Sequence, residues 1–131
     1  MTMPVLTMQP TLGDLLKLEF DASYCREVVT LKGGSHYALG SVLGRITVNG
    51  HYCLSPAAQV VGDEGAEIAS AVLLEAIDAS GGDTLAVVAV RGPVILSQAA
   101  LVFDASVDLP AERNAKFSQL ATAGLVARVT A

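Results

Sequence analysis

The sequence predicts a single, mainly β domain with one helix near its carboxyl end and an extended amino-terminal arm. Three observations predict this fold class. Runs of β-branched and other apolar residues alternate with clusters of glycine, asparagine, aspartate and serine. The dipeptide Asn49-Gly50 separates two of these runs, which is typical of a tight hairpin. One segment, 108–124, has apolar residues at helical spacing.

The composition is consistent with one domain that associates with other subunits. The chain has 131 residues, of which 52% are hydrophobic and 16% are charged. Soluble domains usually contain about 25% charged residues. The apolar surplus exceeds what one small core needs, so we expect some of it to be buried between subunits. A net charge of −5, with 8 scattered basic residues, argues against nucleic acid as a partner.

The first twenty residues differ in composition and in hydrophobic periodicity from the rest of the chain. They contain all three methionines, two prolines and isolated apolar residues without sustained periodicity. Pro4 and Pro10 favour extended backbone around them. We therefore predict a flexible amino-terminal arm over residues 1–20, with a short turn at 14–17, and one β-rich domain over residues 21–131. Composition alone also allows a frayed terminus without a role.

The β pattern continues through most of the domain. Apolar or β-branched runs that predict strands lie at 24–31, 42–48, 51–54, 68–77, 84–91, 94–96 and 125–129, and a further short apolar run lies at 99–103. The hairpin predicts a type I′ turn, with Val48 opposite His51 and Ile46 opposite Cys53. Such a register would give one apolar face and one solvated face.

The helix has recognisable start and stop signals. Asp108 is placed to act as the N-cap, Pro110 lies in the first turn and Glu112 complements the helix dipole. Phe117 lies on the apolar stripe, and Gly124 is placed to end the helix.

No segment predicts secretion or membrane insertion. The first residues lack a basic region followed by an apolar block. The most apolar stretch, 85–96, is interrupted by Arg91 and Gly92-Pro93 and is shorter than the roughly 20 residues of a spanning helix. We therefore expect synthesis in the cytoplasm and no membrane partner. In that compartment Cys25 and Cys53 are expected to be small buried hydrophobic residues rather than a disulfide.

Catalytic motifs are missing from the sequence. The segment 40–44 resembles a nucleophile elbow, but its serine comes one position too early. No phosphate-binding loop is present, and the two Gly-Gly pairs are better interpreted as turns. The acidic groups lie in loops or at strand ends without a base, nucleophile or oxyanion donor beside them. We predict no catalytic residues and no cofactor.

A metal site was also considered. His51 and Cys53 lie two apart on a predicted strand and therefore share a face, and Cys25 and His36 could complete a ligand set. Their spacing matches no familiar zinc pattern, so we predict no metal. Arg91, the one charge in an apolar strand, could pair with an acid across an interface or extend to solvent from an edge.

Five segments together support a family resemblance. In order and spacing they resemble the head decoration proteins of tailed phages and prophages, the family of the phage lambda protein D. The segments are Thr11-Leu12-Gly13-Asp14-Leu15-Leu16-Lys17, Tyr24-Cys25-Arg26-Glu27-Val28-Val29-Thr30-Leu31, Gly40-Ser41-Val42-Leu43-Gly44-Arg45-Ile46-Thr47, Ala71-Val72-Leu73-Leu74-Glu75-Ala76-Ile77-Asp78-Ala79 and Val88-Ala89-Val90-Arg91-Gly92-Pro93-Val94. The likeness covers about residues 12–129, and it is carried by the ordered set rather than by one diagnostic motif.

The resemblance implies a β-clip-like domain that assembles as a homotrimer. Such trimers sit on the outer surface of an expanded capsid at local three-fold sites. There they act as cement between hexamers of the major capsid protein and hold the shell against the pressure of packaged DNA. The resemblance also implies that the arm reaches the capsid protein. We assign this role to Thr2, Met3, Pro4, Val5, Leu6, Thr7, Met8, Gln9, Pro10, Thr11 and Leu12.

Two alternatives from other classes stay open at this point. A small-molecule-binding or enzymatic β domain would need a pocket with converging polar groups, and small β folds do host such activities. A generic oligomeric scaffold inside the cell would not co-purify with phage particles.

Overall fold

The structure is a computed structural model, and it describes residues 11–129. This part of the chain contains ten strands, two single-turn helices and one longer helix. In chain order the elements are α1 (Leu12–Leu15), β1 (Leu16–Glu19), α2 (Ala22–Cys25), β2 (Arg26–Leu31), β3 (His36–Tyr37), β4 (Val42–Arg45), β5 (Tyr52–Leu54), β6 (Ala69–Leu73), β7 (Ile77–Asp78), β8 (Thr84–Ala89), β9 (Val94–Ser97), a 3₁₀ turn (Gln98–Ala100), α3 (Pro110–Thr122) and β10 (Leu125–Arg128).

Five strands form a closed barrel in the order β2-β5-β4-β6-β8. β2 and β8 pair antiparallel along their whole length, and β2 meets β5 in parallel at its last residue, which closes the barrel. Because side chains alternate along a strand, one face of β2 and β8 points inward. Leu31 and Val88 lie on that face and are buried with Leu43 and Leu73. The barrel interior is therefore a packed apolar core.

A three-stranded sheet, β1-β9-β10, lies beside the barrel. Its central strand β9 is antiparallel to β1 and parallel to β10. The inward-facing Val94 and Leu96 are buried against Leu15 of α1 and Leu120 of α3. The same cluster includes Val72 of the barrel. Sheet, barrel and helix thus share one continuous core. The short strands β3 and β7 form a separate two-stranded ladder.

The prediction of a mainly β fold with one carboxyl-terminal helix is confirmed. Gly124 has a φ of +86° and directly follows the end of the helix, as predicted. The predicted N-cap, Asp108, is wrong: the N-cap is Leu109. The Glu112 carboxylate accepts a hydrogen bond from the Leu109 N–H at 3.0 Å, so the acidic side chain of the first turn performs the capping.

Several predicted strand runs differ in extent from the observed strands: the run 68–77 divides into β6 and β7, and the run from residue 42 ends at Arg45. The run expected from residue 24 becomes a strand only at Arg26, because α2 precedes it. Asp21 caps that helical turn by accepting a hydrogen bond from the Ser23 N–H at 2.9 Å. The short apolar run at 99–103, to which no element was assigned, overlaps the 3₁₀ turn and contains a single bridge at Val102.

The hairpin is present, but its register differs from the predicted one. The observed partner of Cys53 is Gly44. Gly50 has a φ of +75°, whereas Asn49 keeps a negative φ, so the type I′ turn is wrong. The Gly50 N–H donates instead to the carbonyl four residues earlier, which gives a wider loop. Val48 lies on this loop and is 85% exposed.

Part of the predicted arm belongs to the body of the domain. Leu12–Leu15 and Leu16–Glu19 form α1 and β1, and Leu15 is fully buried. These residues pack because Leu15 fills a space beside Gly40 and Ala100. The expected arm of residues 1–20 thus includes two regular elements, and its boundary at residue 20 stays a prediction. The predicted arm residues Thr2–Pro10 lie outside the described residues.

Candidate interaction surface

The start of the described chain is held firmly on the domain. The Thr11 N–H donates to the Asp14 carboxylate at 2.8 Å, and the Asp14 N–H donates back to the Thr11 carbonyl at 3.0 Å. The hydrogen bond from the Thr11 backbone holds the pKa of Asp14 below its ordinary value. Leu12 packs against the core that contains Leu15. Of the predicted arm residues, the structure thus places Thr11 and Leu12 at the anchor of the preceding segment.

The outer side of the three-stranded sheet is apolar and exposed. Leu18 and Val126 both pair with Ile95, so the three side chains form one row across the sheet. Phe20 follows β1, and its N–H donates to the Pro93 carbonyl. Leu18 is 51% exposed and Phe20 is 72% exposed. We call Leu18, Phe20, Ile95 and Val126 the sheet face. A contiguous apolar group of this kind is typical of an interaction surface.

The same sheet has two edges without a strand partner within residues 11–129. β1 and β10 are the outer strands, and each pairs only with β9. An unpaired edge presents backbone N–H and carbonyl groups that can accept a further strand. β1 follows α1 directly, so the chain preceding Thr11 joins the domain close to one of these edges.

A second apolar area lies on the barrel. β2 and β8 pair Val28 with Val87 and Thr30 with Leu85, which brings Val28 and Leu85 to diagonal positions on the outer face. Their exposed fractions are 64% and 65%. We call Val28 and Leu85 the barrel strip. It lies on a different sheet from the sheet face.

Arg91 binds groups of its own chain. Its guanidinium donates to the Glu27 carboxylate at 2.8 Å and to the Tyr24 carbonyl at 2.5 Å. It also lies 5.3 Å from the centre of the Tyr24 ring, within the range of a cation–π contact. Of the two hypotheses for Arg91, pairing with an acid is observed, but the acid is intramolecular.

The structure separates the four residues considered for a metal site. His36 pairs with Asp78 and His51 with Asp83, each at 3.4 Å. The two cysteines are free and lie in different buried clusters. Burial raises the pKa of the Cys53 thiol to about 11, which disfavours the thiolate that a metal requires. Among residues 11–129 no group of three or more potential metal-ligating side chains is brought together.

The acidic loop residues stabilise turns. Asp83 accepts from the Gly33 N–H at 2.7 Å, and Glu67 accepts from the Gly65 N–H at 2.8 Å. Asp63 forms an ion pair with Lys32 at 2.8 Å. These carboxylates therefore have structural partners within the chain, of which only that of Glu67 is local in sequence.

Lys116 is a feature that the sequence analysis missed. This lysine of α3 is only 2% exposed. Its ammonium donates to Ser55 Oγ at 2.9 Å and to the carbonyls of Pro56 and Glu67, each at 2.6 Å. Burial lowers the pKa of the ammonium below its ordinary value. Its position four residues before the buried Leu120 is the sequence signal that places it on the inner face of the helix.

Taken together, these features describe a β-rich protein with exposed apolar surfaces on two of its sheets, which is typical of interaction proteins. None of the helices within residues 11–129 is long and apolar enough to cross a membrane. A family model for the bacteriophage lambda head decoration protein D matches residues 5–125, and the chain therefore belongs to this family. No curated protein matches the chain. Membership confirms the predicted resemblance and makes the protein a structural component that decorates the phage capsid.

Proposed function

We propose that the protein is a cement protein that binds as a homotrimer to the outer surface of an expanded phage head. It occupies local three-fold sites, bridges neighbouring hexamers of the major capsid protein and stabilises the shell against the pressure of internal DNA. It acts without catalysis or a cofactor, and it contacts neither nucleic acid nor membrane. It is synthesised in the host cytoplasm, and in the assembled virion it lies on the outer surface of the capsid.

The observation that carries this proposal is the sheet face beside the anchor of the amino-terminal segment. The exposed Leu18 and Phe20 lie on or directly after β1, and Thr11 starts the helical turn that precedes it. The sheet face and the amino-terminal segment are therefore attached to the same strand, β1, and both are proposed to contact the capsid. The barrel strip belongs to a different sheet, and we assign it to contact between copies.

The proposed role of the segment Thr2–Pro10 is to pair with a sheet edge on the major capsid protein. Proline favours extended backbone around it, as Pro4 and Pro10 would here, and main-chain hydrogen bonds supply affinity when a strand is added to an edge. Thr11 and Leu12 fix the base of this segment on the domain.

Stabilisation of the shell follows from multiple attachment. Once one arm of a trimer has docked, the other two bind at high effective concentration. Separation of two capsomers then requires several contacts to break together. Individually weak contacts are thus sufficient for a durable bridge.

The direct experiment mixes the purified full chain with expanded capsids that lack decoration. We expect the protein to sediment with the capsids and to raise the temperature at which they release DNA or break open. Failure to sediment with them, or unchanged heat resistance at saturating occupancy, would contradict the proposal.

A charge placed on the sheet face should weaken capsid binding. In the double variant Leu18→Glu and Phe20→Glu, two exposed apolar side chains become carboxylates that must be desolvated at the interface. Full burial of a large apolar side chain contributes about 1.5 to 3 kcal/mol, so we expect the dissociation constant to rise at least about tenfold. Titration of labelled protein onto capsids measures the change.

The matched control is the double variant Val48→Glu and Val61→Glu. Val48 and Val61 are 85% and 95% exposed on loops outside the three-stranded sheet, so the control adds the same two carboxylates elsewhere on the surface. We expect wild-type capsid binding from the control and native circular dichroism from both variants. Equal binding by the sheet-face variant and the control would exclude the sheet face as the contact surface.

A further inference from the structure

The loop between β4 and β5 presents the dipeptide Asn49-Gly50 to solvent. Asn49 is exposed, and Gly50 is partly exposed with a φ of +75°. Because glycine has no Cβ, no side chain shields its backbone nitrogen from the preceding residue. A side-chain amide carbon and an unhindered backbone nitrogen are therefore neighbours, and these two groups can close a succinimide ring. The other asparagine of the chain, Asn114, lies within α3 and precedes Ala115.

A hydrogen bond holds the side-chain amide of Asn49 in place. Its Oδ1 accepts from the His51 N–H at 3.0 Å. Because His51 follows Gly50, this bond folds the amide over the Gly50 peptide group. Negative charge develops on the amide oxygen when a nucleophile adds to the amide carbon, and a backbone N–H that already binds this oxygen stabilises that charge. The Asn49 amide is thus held beside the Gly50 nitrogen with its oxygen bound by a donor.

A positive charge lies beside the same peptide group. A Cβ added to Gly50 would lie 3.1 Å from Nη2 of Arg45, the last residue of β4. Within residues 11–129 the exposed Arg45 forms no salt bridge, so its charge is not neutralised by an acid of this part of the chain. The Gly50 nitrogen must lose its proton to become a nucleophile, and a nearby cation favours the deprotonated form.

One hydrogen bond controls access to the nitrogen. The Gly50 N–H donates to the Ile46 carbonyl at 2.9 Å, and the nitrogen cannot turn toward the Asn49 amide while this bond is closed. Val48 and Asn49 are exposed, and exposed loops open locally at small cost in free energy. The reaction therefore proceeds from the molecules in which this bond is open.

We propose that Asn49 is a site of spontaneous deamidation and that the charge of Arg45 promotes the reaction. The Gly50 nitrogen forms a bond to Cγ of Asn49, the bond from Cγ to the side-chain nitrogen breaks, and ammonia leaves with the proton of the Gly50 N–H. Water then adds to either carbonyl of the succinimide and opens the ring. The products are aspartate and isoaspartate at position 49, and each carries a new carboxylate. This chemistry is independent of capsid binding.

Incubation of the folded full-length protein in mildly alkaline buffer tests the modification. Peptide mass analysis detects the conversion of an amide to a carboxyl group, and chromatography separates the aspartate peptide from the isoaspartate peptide. Asn114 is the internal control, because it lies in a helix and is followed by alanine. We expect the rate at Asn49 to exceed that at Asn114 by at least about tenfold, a barrier difference of about 1.4 kcal/mol.

The variant Arg45→Met tests the role of the charge, since methionine has a similar length and no charge. Its matched control is Arg128→Met, which removes another exposed arginine, at the end of β10. We expect Arg45→Met to lower the rate at Asn49 about threefold, as befits an exposed charge, and Arg128→Met to leave it unchanged. High salt should slow the wild type toward the rate of Arg45→Met and leave that variant unaffected, which a purely structural role of Arg45 would not produce.

The outcomes separate the reaction from its promotion by Arg45. Equal rates at Asn49 and Asn114, or aspartate formed without isoaspartate, would overturn the succinimide route. If Asn49 reacts selectively but Arg45→Met and Arg128→Met react equally fast, or the wild type is insensitive to salt, the site stands and the role of Arg45 is overturned. Selective reaction at Asn49, slowed by Arg45→Met and by salt, supports both.

Discussion

Removal of residues 1–10 is expected to abolish stable decoration of capsids while leaving the domain folded. The cut stops before Thr11 because Thr11 and Asp14 form reciprocal hydrogen bonds at the start of α1 and Leu12 packs on the core. A deletion that extended through Leu12 would also remove these contacts. A loss of capsid binding would then not distinguish unfolding of the domain from removal of the arm. The structure therefore sets the correct end of the truncation.

The expected loss of capsid affinity is about a hundredfold or more. The proposed trimer would carry three arms, and simultaneous engagement raises avidity by about two to four orders of magnitude over a single attachment. Quantitative titration onto expanded capsids measures the loss. The circular dichroism spectrum and the number of subunits in solution should match those of the full chain, because α1 and everything after it is retained.

A second variant separates the chemistry of the arm from its length. Replacing residues 2–10 with glycine and serine keeps the length and removes the apolar side chains and both prolines. We expect this variant to bind as poorly as the truncated chain. Wild-type binding by either variant would contradict the proposed role of the arm.

The largest expected effect on stability comes from Lys116→Met. Methionine has a similar length but donates no hydrogen bond, so the carbonyls of Pro56 and Glu67 lose the ammonium that they now bind at 2.6 Å. An unsatisfied buried polar group costs about 1 to 3 kcal/mol. The variant also avoids the desolvation of a buried charge, which offsets part of the loss. We expect the free energy of unfolding to fall by roughly 2 to 4 kcal/mol after this offset.

Chemical denaturation at fixed protein concentration measures this change, since the stability of an oligomer depends on concentration. The control is Lys17→Met, which alters an exposed lysine whose ammonium donates only to the Gly13 carbonyl at 2.9 Å. That substitution should change the free energy of unfolding by no more than about 0.5 kcal/mol. A Lys116→Met variant as stable as this control would contradict the assigned role of Lys116.

The difference in stability between the wild type and Lys116→Met is also expected to depend on pH. The pKa of Lys116 is lowered on folding, so the unfolded chain binds more protons in the interval between the folded and the unfolded pKa. Stability therefore rises with pH through this interval, which ends near the ordinary value of 10.5. The stability advantage of the wild type over Lys116→Met should accordingly increase as the pH approaches 10.

Local patterns predicted the element types of this fold well. Alternation and β-branched runs located most strands, and Gly124 located the end of α3. The wrong predictions concern a helix cap and a turn. In both, a residue other than the expected one takes part in the hydrogen bond. Glu112 caps the helix through Leu109, and the turn after β4 is held in part by the Glu64 carbonyl, which accepts from the Thr47 N–H at 2.9 Å.

The functional surfaces were harder to predict from the sequence. The sheet face depends on the pairing of β1, β9 and β10, whose residues are about 30 to 110 positions apart, and no local pattern specifies that pairing. The burial of Lys116 depends on a loop about 50 to 60 residues earlier in the chain. The arm was assigned from the ordered family resemblance, since its own composition allowed a frayed terminus equally well.

Electron microscopy of expanded capsids, with and without the added protein, tests most directly whether the chain is a capsid cement. The account predicts three-lobed density on the outer surface at the local three-fold axes, with a strand of density from each lobe continuing along the neighbouring capsid protein. Capsids that look the same with and without saturating protein, or density confined to other positions, would contradict it.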